Sequence, residues 1–244
     1  MAYVARGLVA ALILATLSAS AIAKDERAAE RHLMVETIQH MALSIGGQVG
    51  QAGLDARVLA ALRAVPRHEF VPSALSHVAY ANQPLPIGLG QTISQPFIVG
   101  LMTDLLQVAP GDRVLEVGTG SGYQAAVLSL MAREVYSIEI VEELGRNAAL
   151  TLSRLGYRNV ITRIGDGYQG WEEHAPYDGI MVTAAPNHVP PALVAQLKPG
   201  GRLVIPVGEL FQDLMVVVKA ADGTTTSTRV IPVRFVPLTR EKPK

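Results

Sequence analysis

The sequence predicts an α/β fold: a doubly wound, mostly parallel sheet with N-terminal helices and a C-terminal antiparallel hairpin. Three observations carry that prediction. Strand-like and helix-like runs alternate after Pro110-Gly111, and the strand-like runs are almost wholly apolar, as strands covered on both faces must be. Two further strand-like runs in the tail flank the turn pair Asp222-Gly223. With 244 residues, 49% of them apolar, the chain can bury one sizeable core but is short for two domains and a linker. A single domain is therefore expected over residues 24–244.

Residues 1–23 stand apart from that domain. Arg6 precedes an unbroken small and apolar run, and Ala21-Ile22-Ala23 offers the small-x-small pattern of a signal-peptide cleavage site just before Lys24-Asp25-Glu26-Arg27. The segment predicts export to the periplasm and, once it is removed, no stable membrane association. An uncleaved anchor or a misassigned start are the alternatives, although the run is short for a membrane span.

Apolar residues then recur at helical spacing over 25–41 and, after a glycine-rich break at 46–53, over 54–65. Pro66, Pro72, Pro84, Pro86 and Pro96 interrupt the next stretch, where neither a regular helix nor a central strand can run far. Its Phe70, Val71, Tyr80, Leu85, Ile87, Ile93 and Phe97 predict an ordered loop region, because a linker has little to bury. Beyond it, strands are expected at 113–117, 134–138, 160–164, 177–183 and 202–206. Helices are expected at 122–132, 141–155 and 191–196, and the hairpin pairs 213–219 with 226–235.

Composition narrows the function. Lys plus Arg and Asp plus Glu are 21 each, so no net field draws the chain to nucleic acid or to an anionic membrane. The absence of cysteine excludes disulfides, thiolate metal sites and a cysteine nucleophile. His32, His40, His68, His77, His174 and His188 lack metal-ligand spacing, so no metal is expected. The G-x-S-x-G elbow of hydrolases and the Gly-Lys-Ser/Thr of a phosphate loop are missing. Nothing suggests an obligate assembly, and a monomer is expected.

Ligands of open α/β sheets bind outside the carboxyl ends of the strands, near the point where strand order reverses. The first strand ends in Val114-Leu115-Glu116-Val117-Gly118-Thr119-Gly120-Ser121-Gly122-Tyr123. Glycines there let backbone amides approach a ligand, and the following helix offers positive potential, so a carboxylate or a phosphate would fit equally well. A dinucleotide fingerprint needs glycine where Tyr123 stands, which disfavours a pyrophosphate. An acidic residue, Glu116, followed by Gly118, Gly120 and Gly122 looks like the first motif of class I methyltransferases. Glu139 ends the second strand about twenty residues on, where a carboxylate accepts both ribose hydroxyls. Asp166-Gly167 follow the third, where the same pattern places an acidic contact to the adenine amino group.

Further segments are more specific. Val65-Pro66-Arg67-His68-Glu69-Phe70-Val71-Pro72, Leu85-Pro86-Ile87-Gly88, Gly90-Gln91-Thr92-Ile93-Ser94-Gln95-Pro96 and Val236-Pro237-Leu238-Thr239 join the glycine turn in a pattern that resembles the protein-L-isoaspartate O-methyltransferases over residues 31–240. The run from Gln91 to Pro96 lies outside the generic methyltransferase core and singles out that family. The resemblance implies S-adenosylmethionine as methyl donor and isoaspartyl-containing proteins and peptides as partners. The free α-carboxylate of an L-isoaspartyl residue is methylated, and the ester collapses through a succinimide to give some normal aspartate. It further implies Ser94 as the active-site residue, and Thr92, Ile93, Gln95, Gly118, Glu139, Asp166, Gly167 and Thr239 as cofactor-contacting positions.

Two features depart from the family pattern: Asn82 stands where aspartate is usual, and the link over 44–53 is longer than usual. The family is cytoplasmic, which the export-like segment opposes. An exported binding module without catalysis, or a methyltransferase of the same fold acting on a small molecule, are the competing readings. The run from Thr92 to Pro96 argues against the second.

Overall fold

A computed structural model describes residues 27–49 and 52–240; the export-like segment lies outside the described residues. The chain begins with helices α1 (Ala28–Val49) and α2 (Ala56–Ala64), followed by two 3-10 turns, Arg67–Phe70 and Ser73–Val78. A small antiparallel ribbon, β1 (Leu85–Gly88) with β2 (Gln91–Ile93), leads into helix α3 (Pro96–Leu106). The main sheet and its connections follow as β3 (Arg113–Val117), α4 (Tyr123–Ser129), β4 (Glu134–Glu139), α5 (Glu142–Arg154), β5 (Val160–Ile164), β6 (Tyr177–Val182), α6 (Pro191–Ala195), β7 (Leu197–Val207), β8 (Gln212–Lys219) and β9 (Thr225–Val233).

The seven-stranded sheet has the order β5-β4-β3-β6-β7-β8-β9. The strands from β5 to β7 are parallel, and β8 and β9 are antiparallel to their neighbours. From β3 the chain steps outward to β4 and β5, then returns to the other side of β3 as β6. The order therefore reverses at β3. In register, Val117 stands opposite both Ile138 and Val182, so the carboxyl ends of β3, β4 and β6 come level and frame one cleft.

Alternate residues feed two cores, as the pleat requires. Val114, Val135, Met181 and Val204 join the core beneath α1 to α4, and Leu115, Tyr136, Ile180 and Leu203 join that beneath α6 and Trp171.

Three elements differ from the sequence expectation. Helix α1 runs through Gly46-Gly47 to Val49 instead of ending at 41. Burial of Met34, Val35, Ile38 and Ala42 anchors that helix and outweighs a glycine cost of roughly 1 kcal/mol per residue. Helix α3 was not expected at all. Pro96 starts it at the first helical position, and Gln107 ends it in the left-handed region at φ 55°. It packs against β6 and β7 on one side and α1 and α2 on the other, so Val99, Leu101, Met102, Leu105 and Leu106 are all buried and no polar stripe marks the helix. Strand β7 starts at Leu197, earlier than expected, because Leu197 pairs with Tyr177 ahead of a register irregularity.

Candidate active site

The glycine turn is fixed by its own backbone. Gly118 has φ 101°, and a Cβ there would lie 2.3 Å from the Thr183 hydroxyl, which donates to the Gly118 carbonyl at 2.6 Å. The amides of Gly118 and Thr119 both donate to the Ile138 carbonyl, at 2.8 and 3.2 Å. Gly120 N–H donates to Glu139 Oε2 at 2.7 Å, and Val141 N–H to Glu139 Oε1 at 2.9 Å. These amides are thus spent on protein acceptors. What the glycines give a ligand is close approach, rather than the free donors that the sequence suggested. Glu139, at the end of β4, knits the turn to the neighbouring strand, and each carboxylate oxygen retains a lone pair for a ligand hydroxyl.

Glu116 lies beneath this turn, fully buried on β3. Ser137, its register partner on β4, donates to it, and Thr119 Oγ1 lies 2.6 Å from the same serine hydroxyl. The other carboxyl oxygen, Oε1, has no partner. Burial pushes the Glu116 carboxyl up to about 8; the Ser137 hydrogen bond opposes that shift and the neighbouring Glu139 adds to it. Glu116 is accordingly protonated at neutral pH.

The β1–β2 ribbon carries Gln91 to Ser94 across the mouth of the cleft. Arg67, fully buried, holds this segment from behind. Its Nη2 donates to the Ser94 carbonyl and its Nε to the Ala79 carbonyl, both at 2.8 Å, while the guanidinium carbon sits 4.9 Å from the centre of the Tyr123 ring. Burial brings the Arg67 pKa down to about 10, so it stays a cation, and its Nη1 has no partner. Among the described residues the Ser94 hydroxyl makes no hydrogen bond. Gln95 donates to the Asn82 carbonyl at 3.1 Å, and the Asn82 side chain accepts from Phe97 N–H at 3.0 Å, at the start of α3. An aspartate at position 82 would accept the same bond.

A C-terminal strap closes the opposite wall. Ala185 N–H donates to the Val236 carbonyl at 2.8 Å, and Leu238 N–H to the Ala185 carbonyl at 2.9 Å. The Tyr168 hydroxyl donates to the Leu238 carbonyl at 3.3 Å, and Arg240 lies over the Tyr168 ring at 4.5 Å. Asp166, half-buried, caps Tyr168 N–H at 2.9 Å.

The walls of the cleft include Thr92, Ile93, Ser94, Gly118, Gly120, Glu139, Gly167 and Thr239. Four predicted site residues stand off those walls. Glu116 lies below the turn, Gly122 packs against Leu152 and Ala148, Asp166 serves as the Tyr168 cap, and Gln95 faces an adjoining groove. That groove shares Thr92, Ser94, Thr183 and Val236 with the cleft and adds Gln95, Arg234 and Phe235. Arg67, Ser137, Thr183 and Arg234 are the contributors that sequence reasoning did not single out. Among the described residues no group of three or more His, Asp or Glu is placed to hold a metal.

A doubly wound sheet, a glycine turn at the point of strand reversal and a carboxylate at the end of the next strand define a class I S-adenosylmethionine-dependent methyltransferase. The cleft suits that cofactor: Glu139 can accept from a ribose diol, Ile93, Ile140 and Leu238 offer apolar surface, and the glycines admit the amino-acid arm. Residues 39–243 match the family model for protein-L-isoaspartate(D-aspartate) O-methyltransferase. A Cupriavidus necator protein-L-isoaspartate O-methyltransferase 1 is 58% identical, the match covering 95% of this chain and 90% of that protein. A solved protein-L-isoaspartate O-methyltransferase superposes with a TM-score of 0.74 at 29% identity, covering 85% of this chain; this chain spans 65% of that protein's length. A crystal structure from Plasmodium falciparum, described as a candidate enzyme of the same kind in complex with S-adenosyl-L-homocysteine, gives 0.69 at 26% identity, covering 85% of this chain and 97% of that one. The chain belongs to the protein-L-isoaspartate(D-aspartate) O-methyltransferase family.

Proposed function

We propose that the cleft and the groove divide the reaction between them: the cleft holds S-adenosylmethionine, the groove receives the substrate chain, and Ser94 works at the wall they share. The enzyme transfers a methyl group to the free α-carboxylate of L-isoaspartyl residues in damaged proteins and peptides, which initiates their repair. The observation that carries the division of roles is that Ser94, Thr92, Thr183 and Val236 line both spaces.

When bound, the cofactor supplies an electrophilic methyl on a sulfonium, a leaving group that departs neutral. The substrate carboxylate, with an ordinary pKa near 4, is already ionised at neutral pH, so no general base is needed. Its oxygen forms the new O–C bond as the C–S bond breaks. Ser94, whose hydroxyl has no protein partner, donates a hydrogen bond that aligns the carboxylate, and alignment of two bound reactants contributes roughly 7 to 11 kcal/mol in favourable cases. Arg234 is exposed, is the one charged residue lining the groove, and makes no ion pair among the described residues. Its charge matches an anionic substrate. On the cofactor side, Glu139 would accept from the ribose hydroxyls; Thr92, Ile93, Gly118, Gly120, Gly167 and Thr239 form the walls, and Gln95, Gly122, Glu116 and Asp166 lie outside them.

Radiolabelled methyl transfer to an isoaspartyl peptide, with the matching aspartyl peptide as control, tests this reading. Label on the isoaspartyl peptide alone is expected. No label on either supports a non-catalytic binding module, and equal label on both supports a less selective methyltransferase.

Residues 1–23 support export to the periplasm with cleavage before Lys24, and the balance of 21 basic and 21 acidic residues supports a chain that binds neither nucleic acid nor an anionic membrane. Mass spectrometry of the purified N-terminus checks this: an intact Met1 would overturn export by cleavage. Among the described residues no helix is long and apolar enough to cross a membrane.

A further inference from the structure

We infer that Leu210 and Phe211 form a second contact for the polypeptide substrate, gripping an apolar side chain within a few residues of the isoaspartyl group. This rests on the reading of the groove as the substrate's place. Leu210 and Phe211 are 94% and 92% exposed, the most exposed large apolar residues among those described, and they are adjacent in sequence. They contribute almost nothing to either core. A single exposed leucine is ordinary, but a paired apolar projection beside a binding groove marks a contact surface.

Their position ties them to the site. The loop that carries them follows β7, whose carboxyl end points to the same side of the sheet as the glycine turn. It is braced at both ends. Gly208, at φ 133°, donates to the Pro186 carbonyl at 2.9 Å, and a Cβ at Gly208 would lie 1.9 Å from the Phe211 carbonyl oxygen. No residue with a side chain can hold this turn. At the other end the Gln212 side chain makes two bonds to the Phe235 backbone, accepting from its N–H at 2.6 Å and donating to its carbonyl at 3.1 Å. Phe235 lines the groove together with Ser94 and Arg234.

The apolar pair is therefore presented on a braced loop, next in sequence to Gln212, whose side chain grips the Phe235 backbone of the groove wall. A ligand that reaches both must carry a carboxylate and an apolar group joined by a few residues of extended chain. An unfolded or frayed protein segment has that chemistry; a small carboxylic acid does not. Because the loop backbone is braced at both ends, only the two side chains have to be ordered when they are covered.

The test uses two isoaspartyl peptides that differ only in having Leu and Phe, or two Ser, within three residues of the isoaspartyl position. They are assayed with the full enzyme and with the Leu210→Ser, Phe211→Ser double variant. The unaltered enzyme should show a KM about five-fold lower for the apolar peptide at similar kcat, the ratio expected from roughly 1 kcal/mol. In the double variant the two KM values should converge on that of the polar peptide, with cofactor affinity by calorimetry unchanged. Both residues lie on the surface, and an unchanged melting curve verifies the fold.

A preference that survives in the variant, or is missing from the unaltered enzyme, overturns the inference and leaves the reading of the groove intact. Absence of methylation of both peptides by the unaltered enzyme overturns that reading itself. Sedimentation with phosphatidylglycerol vesicles that depends on the pair, with an unchanged KM pattern, would assign it to a lipid surface instead. A dimer in the ultracentrifuge that the double variant abolishes, again with an unchanged KM pattern, would assign it to a second copy of the chain. Either result overturns the substrate contact.

Discussion

Replacing Glu116 by Gln should change the pH dependence of stability, and the size of the effect follows from its burial. In the folded chain the carboxyl titrates at about 8, against an ordinary 4.5. Between those values the folded form keeps a proton that the unfolded chain releases, so stability falls as pH rises from about 4.5 through about 8 and is flat outside that window. At ~1.4 kcal/mol per pH unit, the carboxyl costs the fold roughly 3 kcal/mol between pH 5 and pH 8. Glutamine preserves the shape and can pair with Ser137 but does not ionise. The amide group that replaces Oε1 remains unsatisfied at a cost of about 1 to 3 kcal/mol, and that cost does not vary with pH. Urea unfolding at pH 5 and pH 8 therefore cancels it. The stability of the variant relative to the unaltered chain should improve by roughly 3 kcal/mol between those two conditions. An equal difference at both pH values would show that Glu116 is ionised in the fold and refute the reasoning.

Three further substitutions probe the site. Ser94→Ala should lower kcat roughly ten- to hundred-fold, the value of a hydrogen bond to a charged group, while calorimetric cofactor affinity stays nearly unchanged; an equal loss of both would merge the two roles assigned to cleft and groove. Arg67→Lys keeps the buried charge but cannot reach the Ser94 and Ala79 carbonyls together as the guanidinium does. It should cost about 1 to 3 kcal/mol in chemical denaturation and lower kcat more than it weakens cofactor binding, whereas an unchanged kcat would reduce Arg67 to a core residue. Arg234→Ala, at an exposed position, should raise the peptide KM only a few-fold at low salt, with the difference fading as salt is added; a salt-independent change would point to lost packing instead of charge.

The parts of this fold legible in sequence are those with local signatures. Strands β3, β4 and β6 read clearly because both faces are buried, and Gly118 to Gly122 read clearly because a strand-to-helix turn needs glycine. Helix α3 did not, for the same reason that it is stable: Phe97 to Leu106 are sandwiched between the sheet and α1 with α2, so the polar stripe that betrays a surface helix is missing. The polar pair Glu116 and Ser137 stood in plain view within two apolar strands, yet its meaning depends on the β3–β4 register that sets them side by side.

Arg67 shows why the substrate side was harder to read than the cofactor side. Gly118, Glu139 and Gly167 sit at or just after successive strand ends, where topology places them by rule. Ser94 instead sits on an irregular ribbon, where no periodicity locates it, and a buried guanidinium fixes its backbone through carbonyls 12 and 27 residues away in sequence. A cation without a carboxylate partner is an expensive way to hold a loop. Its two strong backbone bonds and the face of Tyr123, the first residue of α4, offset part of that cost. They also join the Ser94 segment to the helix that follows the glycine turn. Arg67 thus braces, through the Ser94 carbonyl, the wall that cleft and groove share while lining neither space, so under the proposed division of roles its loss should disturb alignment rather than binding.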